Sequence, residues 1–444
     1  MIDERRNEVI HNNWNLQIYL IYLKNGIVMI LDSKNRQMIT VLFFTIQIIL
    51  FSSVLMLTVS ENTFLNLNEL ANKLKDVLSI CCFVFVSLYY LYLNGKPFWA
   101  KRANRNLKRA GFVNHTGESP LLLSKRKLKE NNRVLVYKFH TLGIPYKHWE
   151  DNLQQLESAL NVRIDHFEQG NNSREVIMYA VDGNYNFPKM LPWKKEYLIP
   201  NSQGFILTLG ERITSEKVTI NLSTEYPHLM LAGATGSGKT VLLRLLSMQC
   251  VEKNANVIIC DMKGGIDFPS VWHEKCEIIF DKNELICKLE SVVEEHNHRK
   301  QLLSKLGTSN IEEYNKIASK DKQLNHIIIA MDEFSDILDK TALSKEDKCI
   351  VNKIESLLSV IARQGRATGI NLFLSTQRPS ADLLIGAIRS NILYRVCGRA
   401  DRILAQIVLD SSEAAERVAK NATGRFVDNN NTLFQAYYFN DKEW

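Results

Sequence analysis

Residues 228–246 read HLMLAGATGSGKTVLLRLL, and the fold follows from this stretch. HLMLAGA is a short apolar run of the kind that forms a strand buried on both faces, and an apolar helical run follows the loop. Between them Gly233, Ala234, Thr235, Gly236, Ser237, Gly238, Lys239 and Thr240 fit GxxxxGK[ST], in the strand-then-helix setting that the pattern requires. The glycines let backbone N–H groups close around phosphates, where the helix N-terminus adds positive potential. Lys239 is expected to reach the β- and γ-phosphates, and Thr240 to ligate Mg²⁺ through its hydroxyl. ATP and Mg²⁺ are therefore the expected cofactors.

Downstream, strands and helices alternate. ANVIICDMKGG ends in Asp261 and Lys263, and NHIIIAMDEF ends in Asp332 and Glu333. The carboxyl end of a buried parallel strand is where a doubly wound sheet places its ligands. Asp332 is expected to hold Mg²⁺, and Glu333 to polarise the water that attacks the γ-phosphate. INLFLSTQRPS ends near Gln377, the candidate sensor of the γ-phosphate, and ILYRVC supplies a fifth strand. These strands predict a parallel sheet covered by helices on both faces.

Upstream the chain has another character. Residues 38–59 are 22 uncharged residues and residues 77–93 are 17, lengths suited to bilayer-crossing helices. Arg5, Arg6, Lys24, Lys34 and Arg36 precede the first run, only Lys73 and Lys75 lie between the runs, and ten basic residues against one acid fill residues 96–129. By the positive-inside rule both termini face the cytoplasm, with the chain held in the plasma membrane. The basic stretch KPFWAKRANRNLKR serves as a topology signal or touches anionic headgroups. IYLIYLKNGIVMIL (residues 18–31) is interrupted by Lys24-Asn25-Gly26 and predicts a small cytoplasmic β-hairpin. From residue 132 to 193, strand-like runs flank one helical stretch with Trp149, Leu153, Leu156 and Leu160 at helical spacing, which predicts a small α+β adaptor without chemistry. FPKMLPWKK reads as a linker.

The 444 residues suit two or three domains, and the net charge of +7 is only mildly basic. Eight scattered cysteines without a CxxC pair argue for reduced thiols rather than zinc or disulfides. The expected divisions are a cytoplasmic segment (1–37), a span (38–59), an outside loop (60–76), a second span (77–93), a basic linker (94–131), the adaptor (132–203) and the ATPase motor (204–444).

Four phrases, PHLMLAGATGSGKT, IIIAMDEFSDIL, GRATGINLFLSTQRPSADLLIGAIRSNILYRV and IVLD, together resemble the FtsK/SpoIIIE family of DNA-translocating ATPases, over about half the chain. The resemblance implies a RecA-like motor that assembles as a homo-hexameric ring and threads DNA through it with little regard to sequence. With two spans, and with the chain ending at Trp444 too soon for a winged-helix sequence reader, it is most like the coupling proteins of Gram-positive integrative conjugative elements and conjugative plasmids. Such a protein would partner a relaxase and a secretion channel at the membrane. A chromosome-partitioning pump and a secretion ATPase for protein substrates are the alternatives. Many relatives carry an arginine where this chain has Gln406, so the finger reaching a neighbour's ATP must come from elsewhere. Arg395, Arg399, Arg402 and Arg366 are the candidates, with Arg363 a further one.

Overall fold

The computed structural model describes residues 2–56, 65–223, 225–377 and 386–444. Two compact units divide the chain, Met1–Tyr185 and Asn186–Trp444.

The first unit begins with three long helices, α1 (Ile2–Leu31), α2 (Lys34–Met56) and α3 (Leu65–Gly95). Both α2 and the Leu70–Gly95 part of α3 are long and apolar enough to cross a membrane, and their apolar windows are unburied. Residues 57–64, which hold the end of the first expected span and the start of the expected outside loop, lie outside the described residues. The rest of that loop, from residue 65, belongs to α3. Polar groups on α2 and α3 pair with each other. Thr40 Oγ1 lies 2.9 Å from the Tyr90 hydroxyl, and Gln47 Nε2 donates to the Phe83 carbonyl at 2.8 Å.

The hairpin expected around Lys24-Asn25-Gly26 does not form, because these residues lie inside α1. Their chemistry explains the difference. The Asn25 amide donates to the carbonyls of Gly95 (2.5 Å) and Leu123 (2.8 Å), a tertiary contact rather than a turn. A Cβ on Gly26 would collide with the Leu91 carbonyl, and one on Gly95 with that of Tyr22. The glycine permits helix contact instead of a reversed backbone.

After α4 (Ala100–Arg109) come β1 (Leu121–Lys127), β2 (Leu135–His140), α5 (Tyr146–Asp151), α6 (Leu153–Leu160), β3 (Val162–Gln169) and β4 (Glu175–Asp182). The four strands form an antiparallel sheet in the order β1-β2-β4-β3. Leu107, Phe139, Trp149, Leu156 and Met178 share its core. The single helix expected here is two, broken at Asn152 (φ −111°), and Trp149 and Leu156 are the fully buried members of its stripe. The first strand is drawn from the segment expected to be linker.

The second unit contains one eleven-stranded sheet. In chain order its strands are β5 (Leu191–Pro192), β6 (Ile206–Arg212), β7 (Lys217–Asn221), β8 (Leu229–Ala232), β9 (Asn256–Asp261), β10 (Glu277–Ile279), β11 (Ile327–Asp332), β12 (Ile370–Thr376), β13 (Tyr394–Cys397), β14 (Arg425–Asp428) and β15 (Leu433–Tyr438). Their spatial order is β10-β9-β11-β12-β8-β13-β14-β15-β6-β7, with β5 paired to β15. From β10 to β13 all pairs are parallel, as expected. From β13 to β7 they are antiparallel, which the expectation of a wholly parallel sheet missed. The turns joining β6 to β7 and β14 to β15 are too short for a crossover, so those pairs can only be hairpins. Part of the expected linker is also absorbed, as β5.

Alternation along the central strands fills both faces. Ile327, Ile329 and Met331 pack on one side with Leu372 and Leu374, while Ile328 and Ala330 pack on the other with Phe373. Helix α7 (Lys239–Glu252) starts directly at the phosphate-loop motif.

Candidate nucleotide site

Strand β12 separates β8 from β11, so the loop after β8 and the acidic pair after β11 flank the end of β12. At the start of α7, Gly238 holds φ +98°, and a Cβ there would press on the Gly424 backbone at 3.1 Å. Only glycine fits.

Lys239 is 5% exposed, and its Nζ donates to the Gly233 carbonyl at 2.8 Å. Burial holds its pKa below the ordinary lysine value, with Glu333 and Asp332 pulling the other way. Thr240 Oγ1 donates to Asp332 Oδ2 at 3.3 Å, bringing together the two residues expected at the metal. Burial raises the Asp332 carboxyl above its usual range, and Lys263, whose Nζ lies 3.7 Å away, opposes that rise. A buried carboxylate beside a hydroxyl is a set of hard oxygen donors whose desolvation a divalent cation would offset.

Glu333 has the most distinctive geometry. Its backbone is left-handed at φ 58°, a strained state for a residue with a side chain, and one that collects at functional sites. One carboxylate oxygen, Oε1, accepts three hydrogen bonds: from Gln377 N at 2.8 Å, Ser335 Oγ at 3.0 Å and Thr376 Oγ1 at 3.1 Å. The other, Oε2, is buried with no hydrogen-bond partner among the described residues. Orientation is thus fixed through one oxygen while the other keeps its lone pairs. Gln377 ties the assembly to the loop, because its Oε1 accepts from Thr235 Oγ1 at 2.5 Å.

A second clamp on the loop was not foreseen. Arg399 accepts at its carbonyl from Ala234 N (2.7 Å), while its guanidinium donates to the carbonyls of Thr235 and Lys420. Gly424 N donates to the Ser237 carbonyl at 2.8 Å. These residues follow the loop by more than 150 positions, and nothing local in the sequence announces them. Ser335 and Thr376 were more legible, since each is a hydroxyl residue within two positions of a residue already singled out.

The arginines differ in their surroundings. Arg395 pairs with Asp410 at 2.9 Å, and Asp410 also takes Arg389 at 2.6 Å. Arg399 rests on its own chain's loop. Arg402 is 81% exposed, 3.9 Å from Glu416. Arg366 is exposed in the last turn of the helix Lys345–Thr368, and Arg363 donates to the Ser359 carbonyl. Residues 378–385, which hold most of the QRPSADLLI phrase, lie outside the described residues.

The FtsK/SpoIIIE family model matches residues 194–381. The chain is also similar to a solved structure of the pCW3 conjugation coupling protein TcpA with ATPγS: 32% identical, TM-score 0.57, covering 78% of this chain and 96% of that one. This chain belongs to the FtsK/SpoIIIE family. Curated relatives in the family include the DNA translocase FtsK of Chlorobaculum tepidum (30% identical over 232 residues, 49% of this chain) and that of Shewanella oneidensis (31% over 246 residues, 48% of this chain). The chain spans only about a quarter of the length of these two, 28% and 26%. The family assignment fits the observed geometry, with the glycine-rich loop, the acidic pair and the strand-end glutamine converging at the carboxyl ends of adjacent parallel strands.

Proposed function

We propose that this protein is a membrane-anchored, ATP-driven DNA translocase that acts as the coupling protein delivering DNA to a conjugative secretion channel. The observation that carries the proposal is the likeness to the conjugation coupling protein over 96% of that chain, well beyond the motor's motifs. For the chromosome-partitioning alternative, the DNA translocase FtsK relatives of Chlorobaculum tepidum and Shewanella oneidensis are matched over only about a quarter of their length.

In this reading Gly233 to Thr240 cradle the phosphates of ATP, and Lys239 exchanges its Gly233 carbonyl for the β- and γ-phosphates. Thr240 and Asp332 would hold Mg²⁺, which neutralises charge between those phosphates. Glu333 Oε2 takes the proton of the attacking water, a role supported by its burial and its lack of other partners among the described residues. Gln377, hydrogen-bonded through its side chain to the loop and through its N–H to Glu333, links loss of the γ-phosphate to the base. The chain assembles as a homo-hexamer around DNA, with an arginine from the neighbour completing each site. Arg402 and Arg366 are the best placed for that task because they are exposed, whereas Arg399 positions the loop in its own subunit. Helices α2 and α3 anchor the ring in the plasma membrane with both termini cytoplasmic, beside relaxase and channel proteins.

Contacts to phosphates rather than bases make DNA binding strongly salt-dependent. The full chain in lipid nanodiscs is expected to hydrolyse ATP faster when duplex DNA of any sequence is added. That stimulation should fall by orders of magnitude between about 50 and 200 mM salt. ATPase indifferent to DNA at low salt, or stimulated by peptide instead, would overturn the proposal.

A further inference from the structure

Directly after α3, the first unit carries features that the nucleotide site does not use. Phe98 is 90% exposed and Trp99 46% exposed, within four residues of the end of an apolar helix. Exposed aromatics at the end of a spanning helix mark the headgroup level. Basic residues follow on α4 and β1: Lys101, Arg102, Arg105, Lys108, Arg109 and Lys125 are all exposed. A cleft of about 260 Å³ opens among them, lined by Trp99, Arg102, Asn106, Lys125, Tyr137 and Asp182. The Arg102 guanidinium sits 5.7 Å from the Trp99 ring centre, and Lys125 Nζ lies 5.8 Å from the same ring and 5.0 Å from that of Tyr137. Stacking on aromatic faces holds both cations at the cleft rather than loose in solvent.

From this arrangement we infer that the cleft between α4, the end of α6 and the sheet is a binding site for the headgroup of an anionic phosphoglycerol lipid. Arg102 and Lys125 receive the phosphodiester. Asp182, the acid in the lining, and Asn106 take the hydroxyls of the glycerol, a role a bare phosphate could not give a carboxylate. Trp99 and Phe98 rest against the acyl-chain boundary. Continuity with α3 favours a lipid over a nucleic-acid phosphate, since the cleft begins four residues beyond an apolar helix. The inference rests on α2 and α3 spanning the membrane, as proposed above. It gives the basic stretch a specific ligand beyond its part in setting orientation.

Native mass spectrometry of the full chain, released from detergent with phosphatidylglycerol or phosphatidylcholine added, tests it. Phosphatidylglycerol is expected to remain bound in preference to phosphatidylcholine by roughly tenfold or more, given two cations at the site. R102A/K125A should abolish the preference. R102Q, which keeps the stem of the side chain over Trp99, should reduce it, so an unfolded double variant leaves the test intact. R126A/K127A, outside the cleft, should leave it unchanged. Equal retention of the two lipids, a preference that survives loss of both cations, or displacement of the lipid by a short DNA duplex would each overturn the inference. Extraction of native membranes with alkaline carbonate separates the two levels. A chain released into the supernatant refutes the spanning helices themselves, whereas a chain that stays in the pellet without lipid preference refutes only the headgroup site.

Discussion

Glu333→Gln is expected to bind ATP as tightly as the parent protein and to hydrolyse it about 10²–10⁴-fold more slowly, the usual worth of a positioned general base. Three donors hold Oε1, namely Gln377 N, Ser335 Oγ and Thr376 Oγ1, and Oε2 has no partner among the described residues. Glutamine can keep its oxygen toward those donors and present its amide where Oε2 stood. Geometry is then retained and basicity is lost. The check is a pair of measurements on one preparation: equilibrium binding of a fluorescent ATP analogue, unchanged, and steady-state phosphate release, nearly absent. Wild-type turnover in the variant would remove Glu333 from its role, and lost binding would mean that it holds the site together instead of acting on water.

Lys239→Ala should lose both. Binding of ATP is lost along with hydrolysis, by about 10²–10³-fold, because a charge fixed at the transferring phosphates disappears. The nucleotide-free protein should not be weakened. Burial depresses the lysine's pKa, so at neutral pH, below its ordinary value, the folded state bears a desolvated charge that the unfolded chain does not. Removing that charge relieves a cost rather than removing a support. Thermal denaturation therefore distinguishes the outcomes. The melting temperature without ATP should hold or rise, while the upward shift that ATP gives the parent protein should vanish. A large fall in the nucleotide-free melting temperature would assign Lys239 a structural role through its bond to the Gly233 carbonyl.

The parts of this fold written in local patterns were legible. GATGSGKT between an apolar strand and an apolar helix located the phosphate loop, and the acidic pair after NHIIIAM fell at the end of a strand buried on both faces. What failed was assigning one meaning to a residue that serves two. Asn25-Gly26 carries the composition of a tight turn, yet the glycine admits a neighbouring helix and the asparagine reaches two carbonyls far away in the chain. No window of sequence separates these uses, because both follow from the missing side chain and the short amide. Arg399 shows the other limit. As one of several arginines after the fifth strand it resembled a reagent for a neighbouring subunit, and the partner that sets its position, the Thr235 carbonyl, lies 164 residues away. The antiparallel half of the sheet was missed for a related reason. The turns that form it carry no chemistry.

The central claim is that ATP splitting at this site pulls DNA past a membrane-held ring. Its most direct test uses the full chain in nanodiscs and a linear duplex carrying a bound third-strand oligonucleotide. The account predicts release of the third strand only with hydrolysable ATP, and no release by Glu333→Gln at saturating nucleotide. Rapid ATP hydrolysis on that DNA with the third strand left in place would contradict it.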